Sequence, residues 1–254
     1  MKVIIIEGTD NVGKDTVIDR LTYEFTDSVV FHCEKPKSKT YIEQAAEQEV
    51  FFASLLGRTL YEYKSKMDDN KLSIIHNRSW YGESVYGCMY RYNNPIKVKS
   101  MINTLEKCLT TIIKPEDLCF ITLLSYNADF LVGNDDGLSI SNADREKIIQ
   151  ETHRFEEIFN ESIIENKHIV YVNDGDKFRD KDDIYNEILS YIFPKTEPSV
   201  IATDEWLKKR NLTREQYNEI RNADKITDEL YHKYIYPGSN LMAQQLFDIH
   251  SGIL

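Results

Sequence analysis

The opening stretch of this 254-residue chain sets a strand, a tight turn and a helix directly in series. Val3-Ile4-Ile5-Ile6 is continuous and mostly β-branched, the pattern of a strand covered on both faces in a parallel sheet. Glu7 follows, and then Gly8-Thr9-Asp10-Asn11-Val12-Gly13-Lys14 satisfies the spacing GxxxxGK. Val17, Ile18, Leu21 and Phe25 then recur at helical spacing. In that order, successive loop N–H groups converge on phosphate oxygens, the helix N-terminus adds positive potential, and the lysine ammonium reaches the β- and γ-phosphates. The stretch therefore predicts an ATP cradle made by Gly8, Asn11, Val12, Gly13, Lys14, Asp15 and Thr16. Asp15 stands where a Ser or Thr hydroxyl normally meets Mg²⁺, so Asp15 or Thr16 is the expected metal ligand.

Strand and helix patterns alternate after the turn. Residues 29–33, 72–75, 118–124 and 168–172 carry buried-strand patterns, whereas 41–67, 97–112, 145–165 and 181–192 carry helical ones, the third capped by Asn142. This alternation predicts an α/β three-layer sandwich of the P-loop NTPase class over residues 1–193, with a parallel sheet flanked by helices. The polar segment 126–143 is long enough to act as a lid. Residues 194–254 are expected to form a helical C-terminal extension with caps at Thr203 and Thr213. Its apolar residues, among them Trp206, Tyr217, Ile220 and Leu230, are expected to cover the core or a second subunit.

Charge narrows the partners. With 42 acidic and 31 basic residues the net charge is −11, so the average surface repels a polyanion and long DNA is a poor partner. A phosphate monoester is different, because one or two buried arginines hold it inside an acidic protein. Cys33, Cys88, Cys108 and Cys119 form no CxxC pair and suggest neither a zinc knuckle nor a disulfide framework. No apolar run approaches a membrane span, and a cytoplasmic protein without membrane attachment is expected, in a host cytoplasm if the source is a bacteriophage.

Glu7-Gly8-Thr9-Asp10-Asn11-Val12-Gly13-Lys14 resembles the loop of the thymidylate kinase family, EGxDxxGK followed by Ser or Thr. The ending Gly13-Lys14-Asp15-Thr16 also looks like bacteriophage deoxynucleoside monophosphate kinases. The segment Asn77-Arg78-Ser79-Trp80-Tyr81-Gly82-Glu83-Ser84-Val85-Tyr86 is similar to that family's DR(Y/H) segment and its later tyrosine. The resemblance implies that Asp10 meets the acceptor's sugar, Arg78 and Arg58 clamp its phosphate, and Phe52, Glu83 and Tyr86 line the nucleoside pocket. It also implies that Asn173 and Asp174 lie along the adenine, and that the protein forms a homodimer through a helix. Besides Asp15, the chain departs from the pattern in three places: Asn77 replaces an Asp, the lid segment 126–141 has no Lys or Arg, and position 11, where the cradle could carry the arginine instead, is Asn. Arg145 is the expected substitute for the missing lid cation.

The implied reaction is in-line transfer of the ATP γ-phosphoryl group, with Mg²⁺, to a small deoxynucleotide, with Lys14, Arg78 and Arg145 as the catalytic cations. Two rival readings accompany it: a kinase acting on a hydroxymethylated pyrimidine within DNA, and an ATP-binding sensor or scaffold that has lost catalysis.

Overall fold

The computed structural model describes residues 1–25, 27–66, 73–135, 137, 139–193, 207–208, 212–223, 233–234 and 249. It divides into two compact units, Met1–Ile192 and Phe193–Leu254. The first contains a five-stranded parallel sheet in the order β2-β3-β1-β4-β5, made of β1 (Lys2–Gly8), β2 (Val29–His32), β3 (Ser73–Asn77), β4 (Leu118–Leu124) and β5 (Lys167–Tyr171). Helix α1 (Lys14–Glu24) follows β1, α2 (Tyr41–Lys66) follows β2, and the short α3 (Cys88–Tyr90) and long α4 (Pro95–Ile112) lead to β4. Beyond β4 come α5 (Ala128–Gly133) and α6 (Arg145–Glu161), and α7 (Lys181–Ile192) closes the unit.

The apolar run of β1 is explained by its central place. Successive strand side chains point to opposite faces. Val3 and Ile5 enter one core with Phe52 and Leu55 of α2, Leu105 of α4 and Phe155 of α6. Ile4 and Ile6 enter the other with Val17, Ile18 and Leu21 of α1 and Ile184 and Ile188 of α7. Both parities must therefore be apolar, and all four side chains are fully buried. The parallel sheet with helices on both faces is the three-layer α/β sandwich expected from the alternation.

Strand β1 lies between β3 and β4, so the chain leaves it toward one side of the sheet and later crosses to the other. Such a switch point opens a crevice at the carboxyl ends of the strands. Gly8, His32 and Asn77 are the last residues of β1, β2 and β3, which sets the loop after β1 at that crevice.

Local boundaries differ from the sequence reading for identifiable reasons. The segment after β4 is not wholly loop, because Asn127 caps α5 by accepting from the Phe130 N–H at 3.0 Å. Asn142 is not the cap of α6: Asn142 and Ala143 both take positive φ, and Asp144 accepts from the N–H groups of Glu146 and Lys147. Helix α4 starts two residues early, with Asn94 as cap and Pro95 at its first position. A π-helical turn, Glu83–Gly87, and a hairpin of β6 (Asn173–Asp174) with β7 (Lys177–Phe178) carried no clear period in the sequence.

In the second unit α8 (Arg214–Asn222) is capped by Thr213 in a reciprocal box with Gln216, and Tyr217 and Ile220 are buried. Thr203, Trp206 and Leu230 lie outside the described residues.

Candidate active site

Backbone geometry at the end of β1 explains the two glycines. Gly8 has φ +138°, and a Cβ there would stand 2.1 Å from the Leu123 carbonyl oxygen of neighbouring β4. Gly13 has φ +82° and precedes the first residue of α1, while Asn11 between them takes φ 64°, a left-handed value that Asn tolerates. Lys14 opens the helix and is buried, its Nζ donating to the carbonyl oxygen of Gly8 at 3.1 Å and to that of Thr9. Burial first, and the Arg78 charge second, push its ammonium down to about 7. The lysine is folded back over its own loop, where anionic oxygens would restore its charge.

Arg78 faces this loop from the turn after β3. Its backbone is left-handed at φ 65°, a conformation that costs roughly 1–3 kcal/mol and persists only where the surroundings enforce it. They do so on each side. The Arg78 N–H donates to the Ile6 carbonyl at 3.0 Å, and the N–H of Ser79 donates to Glu7 Oε1 at 2.6 Å. The guanidinium is paired with Asp10 and sits 5.6 Å from the centre of the Tyr86 ring. Glu7 is wholly buried, and burial pushes its carboxyl up to about 7 against the pull of the Ser79 hydroxyl and Arg78. Behind the site Glu151 of α6 accepts from the Tyr90 hydroxyl at 2.5 Å, and burial raises it to about 7 as well.

One cavity of about 680 Å³ connects these parts. Gly13, Lys14, Asp15 and Thr16 line one end, and Arg78, Tyr86 and Phe52 line another. Glu83 also faces it, but its carboxylate is already engaged by Arg91 and Asn93. The Arg91 side chain is 11% exposed and Glu83 3%, so a neutralised ion pair forms that wall instead of a free acid. Gly8 and Val12 contribute through the backbone and the core: Val12 is 2% exposed.

Besides Gly8 and Val12, the structure leaves four more expected site residues outside the cavity lining. Arg58 is exposed on α2 and lays its guanidinium 4.6 Å from the centre of the Phe31 ring, so an aromatic neighbour has claimed it. Arg145 is the first residue of α6, and with Asp144 capping that helix its side chain runs outward to Asp129 in a pair 65% and 70% exposed. Asn173 and Asp174 are taken up by the β6–β7 hairpin. It is Phe178 of that hairpin that lines the cavity, in edge contact with Phe130 at 4.5 Å.

Sequence reasoning missed Glu7, Arg91 and Phe178. A charged residue ending an otherwise apolar strand was a visible signal for Glu7. Arg91 and Phe178 carry none, because a π-turn and a two-residue hairpin bring them in.

Asp15 and Thr16 are exposed hard-oxygen donors beside Lys14, which suits Mg²⁺. Among the described residues no group of three or more His, Cys, Asp or Glu could hold a metal alone, so a cation at this point would share its ligands with phosphate oxygens. No helix among the described residues is long and apolar enough to cross a membrane.

No protein-family model matches the sequence, and no curated protein matches it either. Solved structures align with about three quarters of the chain at low identity. YorR of Bacillus subtilis, solved in complex with phosphorylated GDP, shares 16% identity over 74% of this chain and 94% of its own, with a TM-score of 0.49. Thymidylate kinase from Candida albicans shares 16% over 75% of this chain and 90% of its own, with a TM-score of 0.44. Deoxyadenosine kinase from M. mycoides with bound dATP shares 15% over 75% of this chain and 98% of its own, with a TM-score of 0.41. With such values none of them fixes a substrate for this chain, and the site's own geometry is the ground for a functional reading.

Proposed function

We propose that the protein transfers the γ-phosphoryl group of ATP to the 5′-phosphate of a deoxynucleoside monophosphate. The observation that carries this reading is that one half-open cavity is lined both by Lys14 and Thr16 of the GxxxxGK segment and by Arg78 and Tyr86.

In this reading the loop N–H groups and Lys14 hold the β- and γ-phosphates, and Phe178 supplies a ring for the adenine. Arg78 exchanges part of its bond with Asp10 for the acceptor phosphate, and Asp10 turns to a sugar hydroxyl. Tyr86 and Phe52 flank the base. An oxygen of the acceptor phosphate forms a bond to the γ-phosphorus as the bond from that phosphorus to the bridging β–γ oxygen breaks, leaving ADP. The attacking oxygen is already ionised at neutral pH, so no general base is required. Asp15 and Thr16 would hold Mg²⁺, which would supply positive charge to offset the negative charge of the phosphates. Arg145 and Arg58 have no part in this scheme.

Incubating the purified protein with ATP and each of the four deoxynucleoside monophosphates is expected to give a diphosphate from at least one. No diphosphate from any of them defeats the proposal. Turnover of DNA in place of monomers would favour the modified-pyrimidine reading, and ATP binding without turnover of any acceptor would favour the sensor.

A further inference from the structure

Two departures from the usual cradle pattern touch one another. In P-loop NTPases the cation is held between a Ser or Thr hydroxyl at the start of the helix and a carboxylate from a strand end. Here the helix position carries the carboxylate, Asp15, and Asn77 is the last residue of β3. Asn77 Nδ2 donates to Asp15 Oδ1 at 2.7 Å and lies 3.1 Å from His32 Nδ1. An ionised carboxylate only accepts, so the amide must turn its NH₂ toward Asp15. Its second hydrogen then goes to His32 Nδ1, which keeps that ring's proton on Nε2. His32 and Asn77 are register partners at the ends of β2 and β3, so the sheet holds this second partner in place.

We infer that the acidic ligand of the cation site has changed sides in this chain: Asp15 carries the charge, and Asn77 is a positioning residue that aims it. The exchange keeps one carboxylate at the site, whereas Asp at both positions would set two like charges in contact beside the phosphates. Asn77 is 8% exposed and Asp15 exposed, so the aiming group is buried while the residue it holds lines the cavity. Both line the cavity end that holds Lys14. The inference rests on the ATP-cradle reading and deepens it, because it says which side of the crevice holds the metal.

The test is a reciprocal exchange in the full-length protein: Asp15→Ser, Asn77→Asp and the double variant, with Asp15→Asn as an isosteric control. Mn²⁺ affinity of the ATP-loaded protein is measured by electron paramagnetic resonance, and metal-free ATP affinity by calorimetry. Asp15→Ser and Asp15→Asn are each expected to weaken Mn²⁺ binding at least about tenfold while metal-free ATP binding holds. Asn77→Asp is expected to weaken metal-free ATP binding. The double variant is expected to recover Mn²⁺ affinity to within about threefold of the parent. A double variant no better than its weaker parent, or wild-type Mn²⁺ affinity in Asp15→Asn, overturns the inference while leaving the cradle standing. Failure of the unmodified protein to bind ATP overturns both.

Discussion

Glu7 Oε1 accepts two hydrogen bonds from one residue, the backbone N–H of Ser79 at 2.6 Å and its hydroxyl at 2.8 Å, so a single buried carboxylate ties the end of β1 to the turn after β3. This tie holds Arg78, the residue before Ser79, in its left-handed conformation. Replacing Glu7 with Ala leaves a buried N–H without a partner, a loss of about 1–3 kcal/mol. It also frees the backbone that aims the guanidinium. The expected kinetic signature of Glu7→Ala is an acceptor KM raised about tenfold with the ATP KM raised far less. Glu7→Gln, whose amide oxygen still accepts, should recover most of it. Equal rises in both KM values would show that Glu7 acts only on global stability.

Glu7, Glu151 and Lys14 together oppose folding of the unliganded protein most near neutral pH, while His76, held by burial down to about 3, offsets part of the gain on the acid side. Glu7 and Glu151 are raised from 4.5 to about 7 in the fold, so between those values the folded state binds more protons than the unfolded chain, and stability falls as pH rises. Lys14 is lowered from 10.5 to about 7, so above neutrality the unfolded chain holds a proton that the fold has released, and stability rises with pH. Thermal melting from acid to alkaline pH should trace this minimum, and Lys14→Met should remove the rising limb. A melting point that climbs steadily through neutrality contradicts it. Because phosphates restore the Lys14 charge, ATP binding at slightly alkaline pH should take up protons, read by calorimetry in two buffers of different ionisation enthalpy.

The glycines of the cradle differ in what they protect. At Gly8 an added methyl meets the Leu123 carbonyl oxygen at 2.1 Å and the φ of +138° disfavours any side chain. Gly8→Ala should therefore lose about 3 kcal/mol or more in urea unfolding. Gly13 has open space around it and only its φ of +82° to lose, so Gly13→Ala should cost about 1–2 kcal/mol. Similar losses at the two sites would mean that the approach of β1 to β4 is looser than 2.1 Å implies.

Arg78, Arg145 and Phe178 should separate cleanly in steady-state kinetics. Arg78→Ala should lower kcat/KM for the acceptor by about a hundredfold or more, as loss of a preorganised charge does. Arg145→Ala, which removes only an exposed pair with Asp129, should stay within about threefold. Phe178→Ala should raise the ATP KM about tenfold with the acceptor KM unchanged, the loss of one ring-on-base stack. A large effect of Arg145→Ala would mean that its side chain leaves Asp129 during turnover.

How much of this was legible beforehand depends on whether the signal was local. Strand, loop and helix at residues 3–25 and the parallel sheet could be read from the sequence, because burial on both faces of a central strand imposes an apolar run and the backbone of the tight loop requires glycine at Gly8 and Gly13. Asn94 and Asp144 are hard to single out as caps because a rival stands close to each, Asn93 beside Asn94 and Asn142 two residues before Asp144.

The residues themselves determined the order of elements, the carboxylate at Asp15 and the amide at Asn77, each written at a fixed distance from the turn. Only the tertiary structure decided that these two meet at 2.7 Å, that Arg58 turns to Phe31 and Arg145 to Asp129, and that Phe178 enters the cavity where Asn173 and Asp174 do not. The physical reason is that a side chain's partner is chosen among groups far apart in the chain that the packed sheet brings within ångströms, and no periodicity along the sequence records which of them it meets.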